Sequence, residues 1–283
     1  MSVRCSKDCI SPSPLEGEGR GDITAGVSGT CSRYEQKTNS LKGEKKKMNY
    51  RILTLTLALL TLISGHVYAA LQLEGQSGIF LNSLAYTIPD GSWEISNHNV
   101  NLDNLGSVAT YNVSTGLGNN IEVGYTRITS SVTGVNDQNL LLAKWQFAPE
   151  TKSTPGTALW AIHRDVSGAK SSTDIGLSAT KVLTVANHPL VIDLGVRSTK
   201  AIGLGLFGFQ KDRELKFEGS AALFVTKKFA VGTEFKQQVG GIDTWKDIAF
   251  RFVPSDSLNI DFGIANLGPS LDNQVALAAT WKR

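Results

Sequence analysis

Leu258-Asn259-Ile260-Asp261-Phe262-Gly263-Ile264-Ala265 sets a large apolar side chain at every second position and a polar or small one between. Successive side chains of a β-strand point to opposite faces, so this stretch reads as a strand with one apolar and one polar face. The same period recurs in Phe229, Val231, Thr233 and Phe235 against Ala230, Gly232, Glu234 and Lys236. It returns in Val275, Leu277, Ala279 and Trp281 against Gln274, Ala276, Ala278 and Thr280. Followed outward, the alternation predicts about twelve strands, at 92–100, 107–116, 121–130, 139–147, 157–165, 173–183, 190–198, 215–226, 229–237, 245–253, 258–265 and 274–282. No stretch after residue 69 carries a helical stripe.

The connections fall into two classes. Gly118-Asn119-Asn120, Lys227-Lys228 and Pro254-Ser255-Asp256-Ser257 are tight, whereas polar loops near 131–138, 166–172, 199–214, 238–244 and 266–273 are longer. Short turns at one end, longer loops at the other and an even strand number describe an all-β protein, an antiparallel transmembrane β-barrel with short periplasmic turns and longer outer loops. Pro149, Pro155, Pro189 and Pro254 fall at the periplasmic ends, where a missing N–H costs least. A soluble β-sandwich would also alternate, so the position of the aromatics decides the solvent. Trp145, Phe147, Phe229, Phe252 and Trp281 are expected near the periplasmic ends of the apolar faces, and Tyr125, Phe217, Phe235 and Trp245 near the outer ends. Two aromatic girdles around an aliphatic band suit a bilayer.

The chain ahead of the strands divides in three. From Met48, a short basic start, the apolar or Thr run Ile52 to Ile63 and the sequence Val67-Tyr68-Ala69 follow the order of a secretory signal, so residues 48–69 are expected to be cleaved. Residues 1–47, rich in Pro, Gly, Ser and charge without apolar periodicity, are expected to be disordered or non-native, the product of a misassigned start. Residues 70–91 carry Ile79, Phe80, Leu81 and Leu84, costly to expose, and are expected to enter the periplasmic mouth of the 92–283 barrel as a partial plug or to form an edge segment.

Removing the leader changes the composition. Cys5, Cys9 and Cys31 all precede Met48, which leaves no thiol for a disulfide, a nucleophile or a metal. Of 28 Lys/Arg and 25 Asp/Glu, ten and six precede Ala70, so 18 face 19 and the net charge of +3 becomes −1. A near-neutral chain gives no electrostatic reason to expect nucleic acid.

Several stretches resemble an uncharacterised proteobacterial family, a domain of unknown function whose members bear signal peptides and form outer-membrane-type barrels. They are Gly195-Val-Arg-Ser-Thr-Lys-Ala201, Leu204-Gly-Leu-Phe-Gly-Phe209, Phe229-Ala-Val-Gly-Thr-Glu-Phe-Lys236 and Ala265-Asn-Leu-Gly268. Gly78-Ile79 through Ala85 to Pro89-Asp90-Gly91 also resembles exopolysaccharide-associated outer-membrane barrels, and departs from them at Asn82-Ser83-Leu84, where a Thr-Pro pair would stand. The resemblance implies a fold and an address in the outer membrane of a Gram-negative bacterium. It implies no activity.

Alternation assigns Glu122, Lys144, Asp174, Asp193, Arg197, Lys216, Glu218, Glu234, Lys236, Asp247, Arg251 and Asp261 to the lumen. Mixed signs in a narrow lumen suit a cross-lumen salt-bridge network or a filter for a small polar solute. Only His98, His163 and His188 remain as histidines after residue 69, and none stands with a nucleophile and an orienting group; no metal-ligand spacing and no cofactor motif occurs. The run Gly203 to Gly208 lacks a nucleotide-binding context and is expected to fold closely across the barrel mouth. The expected function is therefore a non-enzymatic barrel, a narrow pore or a structural component of the envelope or of polysaccharide export. Its expected partners are outer-membrane lipid, the barrel-insertion machinery that reads the terminal strand with Trp281, and polysaccharide-export components. A barrel enzyme acting on lipid and a soluble periplasmic β-protein that binds a small ligand are the alternatives.

Overall fold

The structure, a computed structural model, describes residues 70–102, 106–168, 170–267 and 273–283. The proposed leader and signal peptide lie outside them. Two short strands, β1 (Ala70–Leu71) and β2 (Ser77–Gly78), pair with each other. Twelve more follow: β3 (Trp93–Asn101), β4 (Ser107–Gly116), β5 (Ile121–Ser130), β6 (Gln138–Ala148), β7 (Gly156–Val166), β8 (Ser172–Val185), β9 (His188–Ala201), β10 (Phe209–Thr226), β11 (Phe229–Lys236), β12 (Trp245–Ser255), β13 (Leu258–Asn266) and β14 (Asn273–Lys282). Each pairs antiparallel with its neighbour in the chain, and β14 pairs with β3 to close the barrel. At that seam the Trp93 and Arg283 backbones exchange two hydrogen bonds of 3.0 Å.

One end of the barrel carries the tight connections, among them Ala186-Asn187, Lys227-Lys228 and Asp256-Ser257, together with the 149–155 loop. Ala186 and Asn187 both have positive φ, at 48° and 65°, as a two-residue turn requires if it is to match the strand twist. We call this the turn end and the other, with longer connections, the loop end. There the glycine-rich run forms a 3₁₀ turn over Ile202–Gly205 that folds inward and buries Leu204.

The period-two pattern separates the faces. Leu141, Leu194, Leu215 and Leu277 are exposed on the outer wall, while Leu140, Ile162 and Ala276 are wholly buried inside. A closed barrel satisfies its own backbone hydrogen bonds, and an apolar outer wall over it is the arrangement of an outer-membrane-type barrel. Of the expected girdle, Tyr125, Trp145, Phe147, Phe217, Phe235 and Trp281 are exposed on the outer wall, and Phe229 and Phe252 are partly exposed there. Two positions need correction. Trp245 is only 2% exposed and points inward, because it shares the parity of Asp247, Ala249 and Arg251. Tyr125 lies midway along β5 instead of near its outer end, and its hydroxyl donates to Asn139 Oδ1 at 2.7 Å.

Candidate functional site in the barrel lumen

Inside the barrel lies the chain's own residues 70–85, nearly all of them buried. This segment has little ladder pairing of its own, so its buried backbone groups need partners elsewhere. Some are local: Gln72 N–H donates to the Gln76 carbonyl at 2.7 Å, Leu73 N–H to the Phe80 carbonyl at 2.9 Å and Leu84 N–H to the Ser77 carbonyl at 3.1 Å. Gly75 turns the chain at φ 90° and packs so closely on Thr126 that a side chain there would collide with its hydroxyl.

The remaining partners come from charged side chains on the wall. Glu234 accepts three consecutive backbone N–H groups, from Phe80 at 2.7 Å, Leu81 at 3.0 Å and Asn82 at 2.8 Å. Glu122 accepts the Ser77 N–H at 2.9 Å, the Ser77 hydroxyl at 2.6 Å and the Ile88 N–H at 3.1 Å. Lys144 stands 3.4 Å from Glu122 and donates to the Ser77 and Leu84 carbonyls. Arg251 holds Asp261 through two bonds of 2.7 and 3.0 Å and donates to the Ile79 carbonyl at 2.9 Å. Asp193 reaches the segment through Thr180, whose hydroxyl bonds Asp193 and accepts the Ala85 N–H at 2.6 Å. Glu218 stands 3.8 Å from Arg197 and 3.4 Å from Lys236, and Arg197 donates to the Gln237 carbonyl at 2.7 Å.

The structure thus places Glu122, Lys144, Asp193, Arg197, Glu218, Glu234, Arg251 and Asp261 inside the barrel, all buried. Four of them bind the segment directly, and Glu122 with Lys144, Arg197 with Glu218 and Arg251 with Asp261 pair along the wall. Asp174, Lys236 and Asp247 are also buried. Lys216 is not, because β10 rises past the barrel rim there and the ammonium pairs at 2.6 Å with the half-exposed Glu214.

Two members of the network escaped the sequence reading. Glu74, on the segment, pairs with both Arg164 and, at 2.6 Å, Lys236. Arg164 also holds Asp174 at 2.9 Å and donates to the Leu204 carbonyl at 3.0 Å, which ties the segment to the inward 3₁₀ turn. Arg164 was discoverable, since it shares the parity of Trp160 and Ile162. Glu74 sits in a stretch without period, and no pattern marks it.

The histidines are scattered. His98 is fully buried in the lumen beside Ser96 Oγ at 3.1 Å. His163 faces outward, with Nδ1 2.9 Å from the Thr173 hydroxyl. His188 opens β9, with Nδ1 3.2 Å from the Phe224 carbonyl oxygen. Among the described residues no group of three or more His, Cys, Asp or Glu side chains stands together as a metal site.

Residues 150–277 match a family described as a protein of unknown function (DUF3034). That span contains the stretches from Gly195 to Gly268 that carry the resemblance; Gly78 to Gly91 lies ahead of it. No curated protein matches the chain. Among solved structures, the KdgM porin is 11% identical, with 67% of this chain and 98% of that one covered and a TM-score of 0.49. The NanC porin is 8% identical over 68% and 99% of the two chains, with a TM-score of 0.48. Outer membrane phospholipase A from Escherichia coli is 10% identical over 69% and 97%, with a TM-score of 0.39.

Proposed function

We propose that the chain is a non-enzymatic barrel of the Gram-negative outer membrane, kept closed by its own residues 70–88 and serving as a structural component of the envelope. One observation carries this reading: Glu122, Lys144, Glu234 and Arg251, charges an open filter would present to a solute, are taken up by the segment's backbone, above all by the three N–H groups on Glu234. Hydrogen bonds to charged groups contribute about 1.5–3 kcal/mol each, so the set holds the segment firmly. Solute passage would require the segment to leave. In this reading the turn end faces the periplasm, the outer wall contacts lipid, and the terminal strand with Trp281 is what the insertion machinery reads. A place in polysaccharide export rests on the resemblance of residues 78–91 alone.

Planar-bilayer recording tests the closed state. The chain beginning at residue 70 is expected to be silent, and the same barrel lacking 70–88 to conduct steadily. Should the deletion fail to fold, Glu122→Gln with Glu234→Gln loosens the segment while keeping its volume, and flickering conductance is expected. Steady conductance by the intact chain would overturn the proposal.

A further inference from the structure

The segment does not fill the lumen evenly. On the β3–β6 side it meets polar wall residues such as Ser96, Asn112, Glu122 and Lys144. On the β9–β12 side, toward the turn end, the wall carries Ala222, Ala230, Gly232 and Ala249, and these small residues leave a cavity of about 240 Å³. Phe80, Leu84, Val191 and Phe224 complete its apolar lining, and the paired Arg251 and Asp261 border it. An apolar cavity of about 150 Å³ stays dry and takes up apolar guests, so a larger one of similar lining is a place for hydrocarbon. Val182 and Pro189 also line it; both are exposed where the β8–β9 hairpin runs past the rim, so the cavity opens at the turn end.

The β10–β11 turn lies at the same end of the barrel, and there the Lys228 ammonium is shielded from solvent and has no hydrogen-bond partner. The hairpin that carries it pairs Phe224 with Ala230, two residues of the cavity wall, and the Lys228 carbonyl is fixed by the Val253 N–H at 2.8 Å. A buried cation without an acceptor is costly, and an anionic oxygen beside it removes that cost. Arg251 cannot serve as the anion site, because Asp261 and the segment already occupy its donors.

We infer that the turn end of the lumen binds a single-chain anionic amphiphile, with its alkyl tail in the cavity and its head group on Lys228. The volume suits one tail and not two. A fatty carboxylate and a lysophospholipid phosphate share this chemistry. The inference is independent of the closed-lumen proposal, since a conducting barrel could hold the same guest.

The test uses the folded barrel in phosphatidylcholine nanodiscs and displacement of a fluorescent undecanoate. Dodecanoate is expected to displace it saturably, and dodecanol about tenfold more weakly, a difference of roughly 1.4 kcal/mol. Lys228→Gln should remove that difference. Ala249→Phe should abolish saturable binding, and Ala230→Leu serves the same purpose if the phenylalanine does not fit. Lysophosphatidylglycerol in place of dodecanoate distinguishes the sources: whichever displaces at lower concentration identifies the head group, and either result supports the site. Displacement by neither, equal binding of dodecanol and dodecanoate, or unchanged binding in a folded cavity-filled variant would overturn it.

Discussion

The barrel wall and the segment inside it satisfy their backbones in opposite ways. Each wall strand finds its partners in the next strand, so its side chains are free to sort by solvent, apolar outward and polar inward. The segment has only the short β1–β2 pairing, and it takes the rest of its partners from wall side chains: three N–H groups on Glu234, one each from Ser77 and Ile88 on Glu122, two carbonyls on Lys144. A regular ladder tolerates exchange of one side chain for another of its class. An irregular chain buried against specific charges does not, and the two regions should respond differently to substitution.

The largest effect is expected at Arg251, which serves both regions. Arg251→Ala leaves Asp261 buried without its cation and the Ile79 carbonyl without its donor, and should cost about 3–5 kcal/mol in denaturant unfolding. Adding Asp261→Asn should recover part of the loss; no recovery would mean that the wall pair matters less than the segment contact. Leu277→Arg, on the lipid face of β14, should cost about 2–4 kcal/mol. It should leave hydrogen exchange of residues 72–85 unchanged, and faster exchange there would break the separation of wall from segment. Gly75→Ala should do the reverse. It forces a side chain into left-handed backbone against Thr126, at about 1–3 kcal/mol, and should speed exchange in the segment while the strands stay protected.

The smallest effect is expected at the rim. Tyr86 donates its hydroxyl to Glu150, in the 149–155 loop. Partial burial pushes the Glu150 carboxyl up, but the Tyr86 hydroxyl, Lys181 and the Val182 N–H together hold it below its ordinary 4.5. A carboxylate depressed in the folded state adds stability above its unfolded pKa, and that contribution is lost as pH falls through the folded value. The stability difference between the native chain and Glu150→Gln should therefore be constant above about pH 5 and shrink below it. A difference that grows on acidification would show that the carboxyl is not held ionised by these donors.

How legible each region was follows from the same contrast. Alternation marked all twelve barrel strands, because lipid on one side and lumen on the other impose it. It ran out where that asymmetry ends. The start of β10 was read at 215 but lies at Phe209, since Lys211, Asp212 and Arg213 stand in water on both faces. The β8–β9 hairpin was cut short at 183 and 190 because Pro189 looked like a turn residue, whereas it pairs with Thr184 at the exposed tip. Trp245 was misplaced by weighing its chemistry over its parity with Asp247. In the segment the apolar residues announced burial, but neither the course of the chain nor Glu74's two cations could be read, since both depend on side chains far away in sequence.

The seam between Trp93 and Arg283 has a consequence for the order of events during folding. The ring is completed by the two strands most distant along the chain, and non-local pairings of that kind form late. A segment anchored to β5, β6, β11 and β12 therefore has the open sheet available to it before β14 meets β3, as a ship can be set in a bottle whose glass is sealed afterwards. Once the seam has formed, the segment can leave only through a mouth or by reopening the ring.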